Sequence, residues 1–486
     1  MIRKIVNTCK NWLTSQPHAP LLERGKLHEL AAQRECLPQF VQECPVAQRY
    51  LNLLGMIDWD CFLQRDPQRA WSGTVPYPRE PFVAAFLVQL DQHKVYVSEL
   101  RTYLVDHPAL VWILGFPLVP ATTSPWGFDV EASVPSTRLF LSVLRDLDNA
   151  ILQALLDHTV DLIAQVVPAA LKFGRTISID TKHIVAWVRH NNPKTFIKEG
   201  RYDKTKQPTG DPDCKLGVKR RSNTAPAEKG QTSNTPKTPT KNGKPASSLA
   251  VAQVYWGYAS GVAATKIPAL GEAVLAEFTQ PFNAGETSFF FPLMVDVERR
   301  LGFRPKYAAF DKAFDAFYIY QYFHEVGGLA AIPLALRGPA RFFDPQGLPL
   351  CQANLAMPLK SAYTCHTTMI EHRRGRYGCP LLLPKPTEQS CPINHKRWPK
   401  GGCLTDLPLA DGARIRHQLD RHSDLFKRIY NQRTATERIN SQALALGIER
   451  PKLRNQRSIT NRNSLIYILI NLRLIQRIRR QQAQVL

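Results

Sequence analysis

Apolar positions in the first third of the chain repeat with the period of an α-helix. The stretch from Tyr77 to Trp112 is helical in pattern, and Pro78 near its start is suited to the first turn of a helix. A second helical stretch runs from Ser136 to Val167. These patterns predict an α-helical N-terminal domain over residues 1–170. The apolar stripes of its first stretch are formed by Leu87, Leu90 and Val95, and then by Leu100, Tyr103 and Leu104.

At Thr176 the pattern changes to the alternation of a β-strand, in the segment TISIDTKHIVAWV. Further strands and helices alternate up to residue 336, which predicts an α/β domain over residues 171–336 with a central mixed sheet flanked by helices. The predicted elements are strands at Leu249–Tyr258, Gly261–Ile267, Tyr307–Phe310 and Gly328–Leu334, and helices at Ser288–Leu301 and Ala313–Val326.

Three later or inserted segments depart from this alternation. Residues 200–248 are rich in Pro, Thr, Asn, Lys and Gly, which predicts a mobile basic loop. Residues 337–422 contain many Pro, Gly, Cys and His residues and are predicted to be an inserted subdomain. Residues 423–486 return to helical periodicity, with a basic helix at Asp424–Leu446. The last segment, 450–486, has nine Lys and Arg residues and no acid, so we expect one helix face to pack and the other to meet phosphate.

The charge balance narrows the class of protein. The chain has 63 Lys and Arg residues against 40 Asp and Glu residues, a net charge of +23. Such an excess is typical of proteins that bind a polyanion, because each cation set against a phosphate releases condensed counterions. The sequence shows neither a signal peptide nor a long apolar run, and its ten cysteines are too sparse for a disulfide scaffold. We therefore expect a cytoplasmic protein, associated with the nucleoid, whose N-terminal domain contributes to DNA binding.

Three acidic residues are candidates for a metal site. Asp180 and Asp311 each follow a short apolar run that predicts a buried strand, and the ends of adjacent strands are where α/β sheets bind ligands. Glu437 is the single acid between Asp424 and Glu449 on the basic helix. Cleavage of phosphodiesters uses carboxylates that hold two hard cations, Mg²⁺ or Mn²⁺, about 3.5–4 Å apart.

On one continuous helix, Tyr430, Arg433 and Glu437 would lie on a single face two turns long. If this face points inward, Glu437 completes the metal site while Arg433 and Tyr430 meet a phosphate. Taken alone, the same spacing also fits a solvated helix face with an Arg–Glu ion pair.

The segment YNQRTATE, from Tyr430 to Glu437, resembles the signature around the third catalytic acid of the IS4-type DDE transposases of bacterial insertion sequences. Asp180 in SIDTKHI is similar to their first aspartate, and Asp311 in AAFDKAFD to their second. The three motifs occur in the family's order, and the resemblance begins at about residue 75. It implies a ribonuclease H-like catalytic core with Asp180, Asp311 and Glu437 as metal ligands.

The resemblance also implies the reaction and the partners. Water would cut one DNA strand at the end of an insertion sequence, and the freed 3′-hydroxyl would then attack a second phosphodiester. The partners would be terminal inverted repeats, target DNA and a second copy of the chain in a homodimer. Two alternatives remain: a ribonuclease H-like nuclease that cuts without joining, and a transposase-derived DNA-binding protein without catalysis.

This chain departs from the family pattern in two respects. The family usually has a Lys seven residues after the Glu, where this chain has Leu444, so Arg438, Arg450 or Lys452 would supply that DNA contact. Asp315 competes with Asp311 as the second ligand, although we expect Asp315 to lie one turn into the following helix. Asp296 is a weaker rival in the middle of a helix.

The 126 positions between Asp311 and Glu437 require an insertion, which in IS4-type enzymes is mainly β. Here it contains several Cys and His residues, and a structural Zn²⁺ site is one interpretation of them. Their spacing lacks a C-x₂₋₄-C pair, so free buried thiols are the alternative. Trp398, in HKRWPK, would either stack on an unpaired base at a transposon end or anchor the surface. The proposed zinc ligands are Cys379, Cys391, His395 and Cys403.

Overall fold

The computed structural model describes residues 25–62, 77–192, 203–220, 252–335, 341–366 and 369–485. Up to residue 170 these residues are mainly helical, as predicted, with one short pair of strands, β1 (Val119–Pro120) and β2 (Phe128–Asp129). The helices are α1 (Leu27–Ala32), α2 (Gln39–Gln42), α3 (Pro45–Leu54), α4 (Glu80–Asp91), α5 (Val97–Val105), α6 (Pro108–Leu114), α7 (Val130–Ser133), α8 (Thr137–Asp146) and α9 (Asn149–Val166).

A mixed sheet of six strands follows, so the predicted α/β architecture is confirmed. In sequence its elements are β3 (Thr176–Val185), β4 (Lys215–Arg220), β5 (Ala252–Ile267), β6 (Gly271–Pro281), helix α10 (Phe290–Leu301), β7 (Tyr307–Phe310), helix α11 (Phe317–His324) and β8 (Leu329–Ala331). β5 pairs antiparallel with β3, β4 and β6, whereas β3, β7 and β8 run parallel to one another. The strand order is β4, β5, β3, β7 and β8, and β6 pairs with β5 outside this sequence of neighbours.

The predicted strands differ from the observed ones in β5 and β6. β5 is one continuous strand where the sequence predicts two. Its glycines allow close packing and do not form a turn: a Cβ at Gly257 would lie 2.0 Å from the Ile184 carbonyl oxygen, and one at Gly261 would lie 2.3 Å from the Phe289 ring. The sequence pattern does not predict β6. Its run of consecutive buried residues lacks the alternation of a half-exposed strand, and it is rich in Ala and Glu.

Two predicted helices and one predicted loop also need correction. The helix expected at Ala313–Val326 begins only at Phe317, after a 3₁₀ turn at Lys312–Phe314. The helix expected at Asp424–Leu446 is two helices, α13 (Asp424–Tyr430) and α14 (Thr434–Ala445), joined by a 3₁₀ turn. The predicted mobile loop at 200–248 is wrong for residues 203–220, which include β4, and its other residues lie outside the described ones.

The predicted insertion contains a second, three-stranded antiparallel sheet, in agreement with a mainly β subdomain. Its strands are β9 (Leu359–Cys365), β10 (His372–Gly378) and β11 (Leu404–Pro408), with β10 in the centre. The helix α12 (Asp411–Gln418) follows and packs on α11. A small core of Met357, Tyr377 and Leu407 lies separate from the main core.

The last helix, α15 (Gln456–Val485), lies at the centre of the protein. It packs against α4, α8 and α9 on one side and against β6 on the other. Residues 463–472 are buried all round, so the expectation that one face of this helix meets phosphate is wrong for its middle part. Cations near its end remain exposed, including Arg477 and Arg479. No helix of the described residues is both long and apolar enough to cross a membrane.

Asn471 of α15 closes the outer edge of β6. Its Oδ1 accepts a hydrogen bond from the Val274 backbone N–H at 2.8 Å, and its Nδ2 donates to the Val274 carbonyl at 2.9 Å. The same Nδ2 lies 2.9 Å from the Thr159 hydroxyl of α9. Asn471 therefore pairs with the backbone as another strand would, and it joins the sheet to the helical layer.

We predict that Asn471→Ala lowers the free energy of unfolding by about 2–4 kcal/mol, because buried backbone groups of Val274 lose their partner. Urea unfolding followed by circular dichroism measures this change. Gln481→Ala, on the exposed end of the same helix, is the control and should change stability by less than about 0.5 kcal/mol. Equal effects of the two variants would contradict this role of Asn471.

Candidate metal centre and nucleic-acid interface

Asp180 and Asp311 occupy corresponding positions on two adjacent parallel strands. The pairing of β3 with β7 ends at Ile179 and Phe310, so each aspartate is the next residue along its chain. The prediction that Asp180 ends its strand is wrong, because β3 continues to Val185 while paired with β5. Asp180 nevertheless lies where β7 stops, and this brings the two carboxylate-bearing positions together.

The Asp180 side chain is held on both of its oxygens. Oδ1 accepts from the Thr181 backbone N–H at 2.9 Å, and Oδ2 accepts from Asn440 Nδ2 at 2.9 Å. Burial raises the pKa of Asp180, and the nearby Asp311 carboxylate raises it further. The hydrogen bonds and the positive charge of Arg433 act in the opposite direction without cancelling the effect. The charged form of Asp180 is therefore disfavoured in the folded protein.

Asp311 is half-buried and caps the 3₁₀ turn that follows β7. Its Oδ1 accepts from the Ala313 backbone N–H at 2.8 Å. This single bond leaves the other oxygen of the carboxylate available to a ligand.

Asp315, the competitor of Asp311, is fully engaged in structure. It lies before α11 rather than one turn into it, so that expectation is wrong. Its carboxylate accepts two hydrogen bonds from Arg416, from Nε at 2.8 Å and from Nη2 at 2.6 Å. It also accepts one from the Tyr320 hydroxyl at 2.9 Å and one from the Ala335 backbone N–H at 2.6 Å. With its side chain 1% exposed, Asp315 has no free oxygen to offer a metal, and the geometry favours Asp311.

Asp296, the weaker rival, is also committed elsewhere. It lies on α10 and forms an ion pair with Arg299 at 3.1 Å. Arg299 and Arg300 both bind Asp157 of α9, so this cluster joins two helices.

Tyr430, Arg433 and Glu437 do not share one helix, contrary to the predicted single face. Tyr430 ends α13, Arg433 ends the 3₁₀ turn and Glu437 lies in the first turn of α14. Arg433 forms an ion pair with Glu437, whose side chain is 48% exposed. The Tyr430 ring stacks on Phe426 at 5.7 Å, so it contributes to packing, and Arg433 lies 5.9 Å from its centroid.

The 430–440 segment nevertheless packs directly over the two aspartates. The 3₁₀ turn contacts β3 and β7, and α14 contacts β3, β5 and β6. Arg433 is the cation shared by this group, because it pairs with Glu437 and also acts on Asp180. The described residues contain no set of three oxygens from Asp180, Asp311 and Glu437 that all lie within 4.8 Å of one another.

The donor set fits a hard divalent cation. Two carboxylates of like charge lie at adjacent strand positions, and carboxylate oxygens are the ligands that Mg²⁺ and Mn²⁺ prefer. Asn440 contributes a second observation, because its Oδ1 is buried and has no hydrogen-bond partner among the described residues. A buried carbonyl oxygen of this kind is costly unless it meets a donor, such as a water bound to a cation.

Asn440 was not singled out from the sequence, although a signal was present. It follows Glu437 by three positions on a helix, so both lie on the same face. Lys182 was missed in the same way: it follows Asp180 by two positions on β3, which places it on the same face of the sheet. Its Nζ lies 4.0 Å from Glu449, a loose ion pair.

The proposed substitutes for the missing lysine have different surroundings. Leu444 is 46% exposed on α14. Arg438 binds the buried Glu272 of β6 at 2.6 Å, so it ties α14 to the sheet. Lys452 lies 5.8 Å from the ring of Trp187, whose other neighbour is Arg454 at 5.0 Å.

The remaining predicted site residues lie in the insertion. Trp398 is half-buried and begins a 3₁₀ turn there. Cys379, Cys391, His395 and Cys403 line one small cavity. Elsewhere in the described chain, His28, Asp58 and Asp60 bring ligand atoms within 4.8 Å of one another, but Asp60 is exposed and forms an ion pair with Lys26.

Comparison of the chain with protein-family models, with curated proteins and with solved structures finds no match in any of the three.

We predict that Asp315→Asn lowers the free energy of unfolding by about 3–5 kcal/mol, because it breaks a buried ion pair and leaves Arg416 without a counter-charge. Asp311→Asn should cost less than about 1 kcal/mol, because an amide oxygen can still cap the 3₁₀ turn. Chemical unfolding of the two variants provides the measurement. A larger loss for Asp311→Asn would reverse the roles assigned to the two residues.

Proposed function

We propose that the chain is a DDE transposase that cuts and joins DNA strands with the help of two Mg²⁺ or Mn²⁺ ions. One observation carries the proposal: the three motif segments, more than a hundred positions apart in sequence, are packed together. Asp180 and Asp311 lie at adjacent strand positions, and the segment with Arg433, Glu437 and Asn440 covers them. Chance occurrences of three short motifs would have no reason to meet in space.

The fold supports the same proposal. A ribonuclease H-like core is expected to be a mixed sheet flanked by helices, with the acids on its central strands. Here three antiparallel strands, β6, β5 and β3, are followed by two parallel ones, β7 and β8, and the aspartates lie on the central pair. The insertion between Asp311 and Glu437 is mainly β, as the resemblance implies.

Each residue of the proposed site has a role that its contacts suggest. Asp180 and Asp311 would hold the divalent ions, which neutralise charge on the scissile phosphate and lower the pKa of a bound water. Asn440 holds the Asp180 carboxylate in one orientation. Glu437 is exposed enough to turn inward as a further ligand, which requires Arg433 to exchange its partner for a DNA phosphate. Lys182 lies on the same face of the sheet as Asp180 and would contact the DNA backbone.

The charge of the chain agrees with DNA as the partner. The net charge is +23, Arg433 lies close enough to act on Asp180, and Lys182 follows Asp180 by two positions on β3. We extend the proposal to binding of the element's terminal repeats and target DNA, to a homodimer that pairs two ends, and to association with the nucleoid.

We predict that the purified protein nicks DNA in the presence of Mg²⁺ or Mn²⁺. Asp180→Asn and Asp311→Asn should each reduce the nicking rate at least about 100-fold, because a site that loses a charged ligand no longer holds the ions that neutralise the phosphate. The substrate is a plasmid carrying the DNA that flanks the reading frame. Asp296→Asn removes the same charge outside the site and should retain the wild-type rate.

The products separate the three candidate functions. Nicking followed by transfer of the cut strand to a second plasmid supports the transposase. Nicking without transfer supports a nuclease. DNA binding without metal-dependent cutting would overturn both enzymatic proposals in favour of a DNA-binding protein.

The stability of the site should depend on pH and on metal in a defined direction. The pKa of Asp180 is raised in the folded state, so folding favours the protonated carboxyl. The protein therefore loses stability as the pH rises from the pKa of an aspartate in the unfolded chain, about 3.9, through the higher pKa of Asp180 in the folded protein. Asp180→Asn should therefore be more stable than the wild type at pH 7.5 without divalent ions. The difference should vanish below about pH 4.

Magnesium should act in the opposite direction. At a concentration of about 100 times its dissociation constant it should stabilise the wild type by about 2.7 kcal/mol and leave Asp180→Asn almost unchanged. Thermal unfolding with and without Mg²⁺ measures both effects. Equal stabilisation of the two proteins would show that Mg²⁺ binds elsewhere.

A further inference from the structure

A cluster of thiols in the inserted subdomain belongs to neither the acidic site nor the main core. Cys351, Cys379, Cys391 and Cys403 line one cavity, together with His395. Its volume of about 10 Å³ is the space of a single water-sized sphere. Its other lining residues are apolar except Gln352, and the four cysteines are free thiols.

Two segments of the insertion line this cavity: Cys351 precedes β9, and Cys379, Cys391 and Cys403 all lie in the connection between β10 and β11. Cys351 lies in a turn closed by the hydrogen bond from Asn354 N–H to its carbonyl, and Cys379 follows β10 directly. Cys391 and Cys403 flank the 3₁₀ turn that contains Trp398. This arrangement explains why the sequence has no C-x₂₋₄-C pair: the ligands meet through tertiary folding.

Local contacts bring the sulphur atoms towards one another. Cys403 and Cys379 are within hydrogen-bonding reach, and Cys351 is close enough to act electrostatically on Cys403. The His395 backbone N–H donates to Cys391 Sγ at 3.5 Å, a contact that also stabilises a thiolate. Near Cys403, Gly402 has a φ of +80°, and a Cβ there would lie 2.5 Å from Cys379 Cβ. Glycine is therefore required for the two ends of the β10–β11 connection to come this close.

We propose that Cys351, Cys379, Cys391 and Cys403 form a tetrahedral Zn²⁺ site that holds the inserted subdomain together. This set replaces the one expected from the sequence, in which His395 stood in place of Cys351. The His395 Nδ1 accepts a hydrogen bond from the Arg397 backbone N–H at 3.2 Å, so a neutral ring carries its proton on Nε2 and has no lone pair left for a metal. Four thiolates are a common closed ligand set for structural zinc, at Zn–S distances of about 2.3 Å.

Binding requires a small contraction of the cavity. No three of these ligand atoms lie within 4.8 Å of one another in this structure, whereas sulphurs around zinc are about 3.8 Å apart. The subdomain has only a small core of its own, at Met357, Tyr377 and Leu407. A metal is a usual source of stability where a core is this small.

The test measures metal content and not catalysis, so its result is independent of the transposase proposal. The full chain is purified in reducing buffer, loaded with Zn²⁺, freed of loosely bound ions on a weak chelator, and its metal content is determined. We expect about one zinc ion per chain. Titration with Co²⁺ should give the thiolate-to-cobalt charge-transfer absorption of four sulphur ligands.

Single variants assign the ligands. Loss of a residue that only hydrogen-bonds to a metal ligand weakens metal binding by about 10–100-fold. Loss of a ligand should weaken it further, so Cys351→Ser and Cys403→Ser should each weaken zinc binding by at least about 100-fold. His395→Ala and Cys61→Ser, an exposed cysteine of the N-terminal part, should retain the ion. Three results would overturn the proposal: absence of zinc, a disulfide between Cys379 and Cys403 in the freshly purified protein, or loss of zinc in His395→Ala but not in Cys351→Ser.

Discussion

The structure depends on burying α15 between the sheet and the N-terminal helices. A helix buried on every side needs partners for its polar side chains, and α15 finds them in both layers. Asn461 donates to the carbonyls of Leu144 and Leu147, and Ser464 donates to the buried Glu277 of β6 at 2.5 Å. Asn471 completes the edge of β6. The sheet edge, the helical layer and the last helix are therefore stabilised by one hydrogen-bonded network, and removing any layer would leave buried groups unpaired.

This network also determines where the acidic site can form. Because α15 covers β6, α14 lies across β6, β5 and β3, where Arg438 binds Glu272 and Asn440 binds Asp180. The end of α14 is fixed by Arg462 of α15, which donates to the Leu446 carbonyl at 3.3 Å. Burial lowers the pKa of Arg462 to about 10. A cation is thus kept in the interior to position the helix that carries Glu437 and Asn440.

The sequence predicts the parts of this arrangement that depend on local patterns. Periodicity predicts helix α5 (Val97–Val105) and strand β7 (Tyr307–Phe310). The motifs predict the positions of the three acids. β6 is not predictable in this way, because Glu272 and Glu277 look like exposed residues until Arg438 and Ser464 are placed beside them. The break between α13 and α14 is also missed, because no proline or glycine marks it. Asn440 becomes visible only when α14 is set against β3.

The acids of the proposed site differ from the structural acids in how their negative charge is neutralised. The buried Asp315 has a bidentate arginine, and the half-buried Asp157 is paired with two arginines. Asp180 has instead an amide, a backbone N–H, a carboxylate neighbour and a more distant arginine that already serves Glu437. Asp315 and Asp157 thus each have arginines of their own, whereas Asp180 shares Arg433 with Glu437. A carboxylate that lies beside a second carboxylate and shares its arginine with a third, as Asp180 does, is one whose charge a cation would compensate.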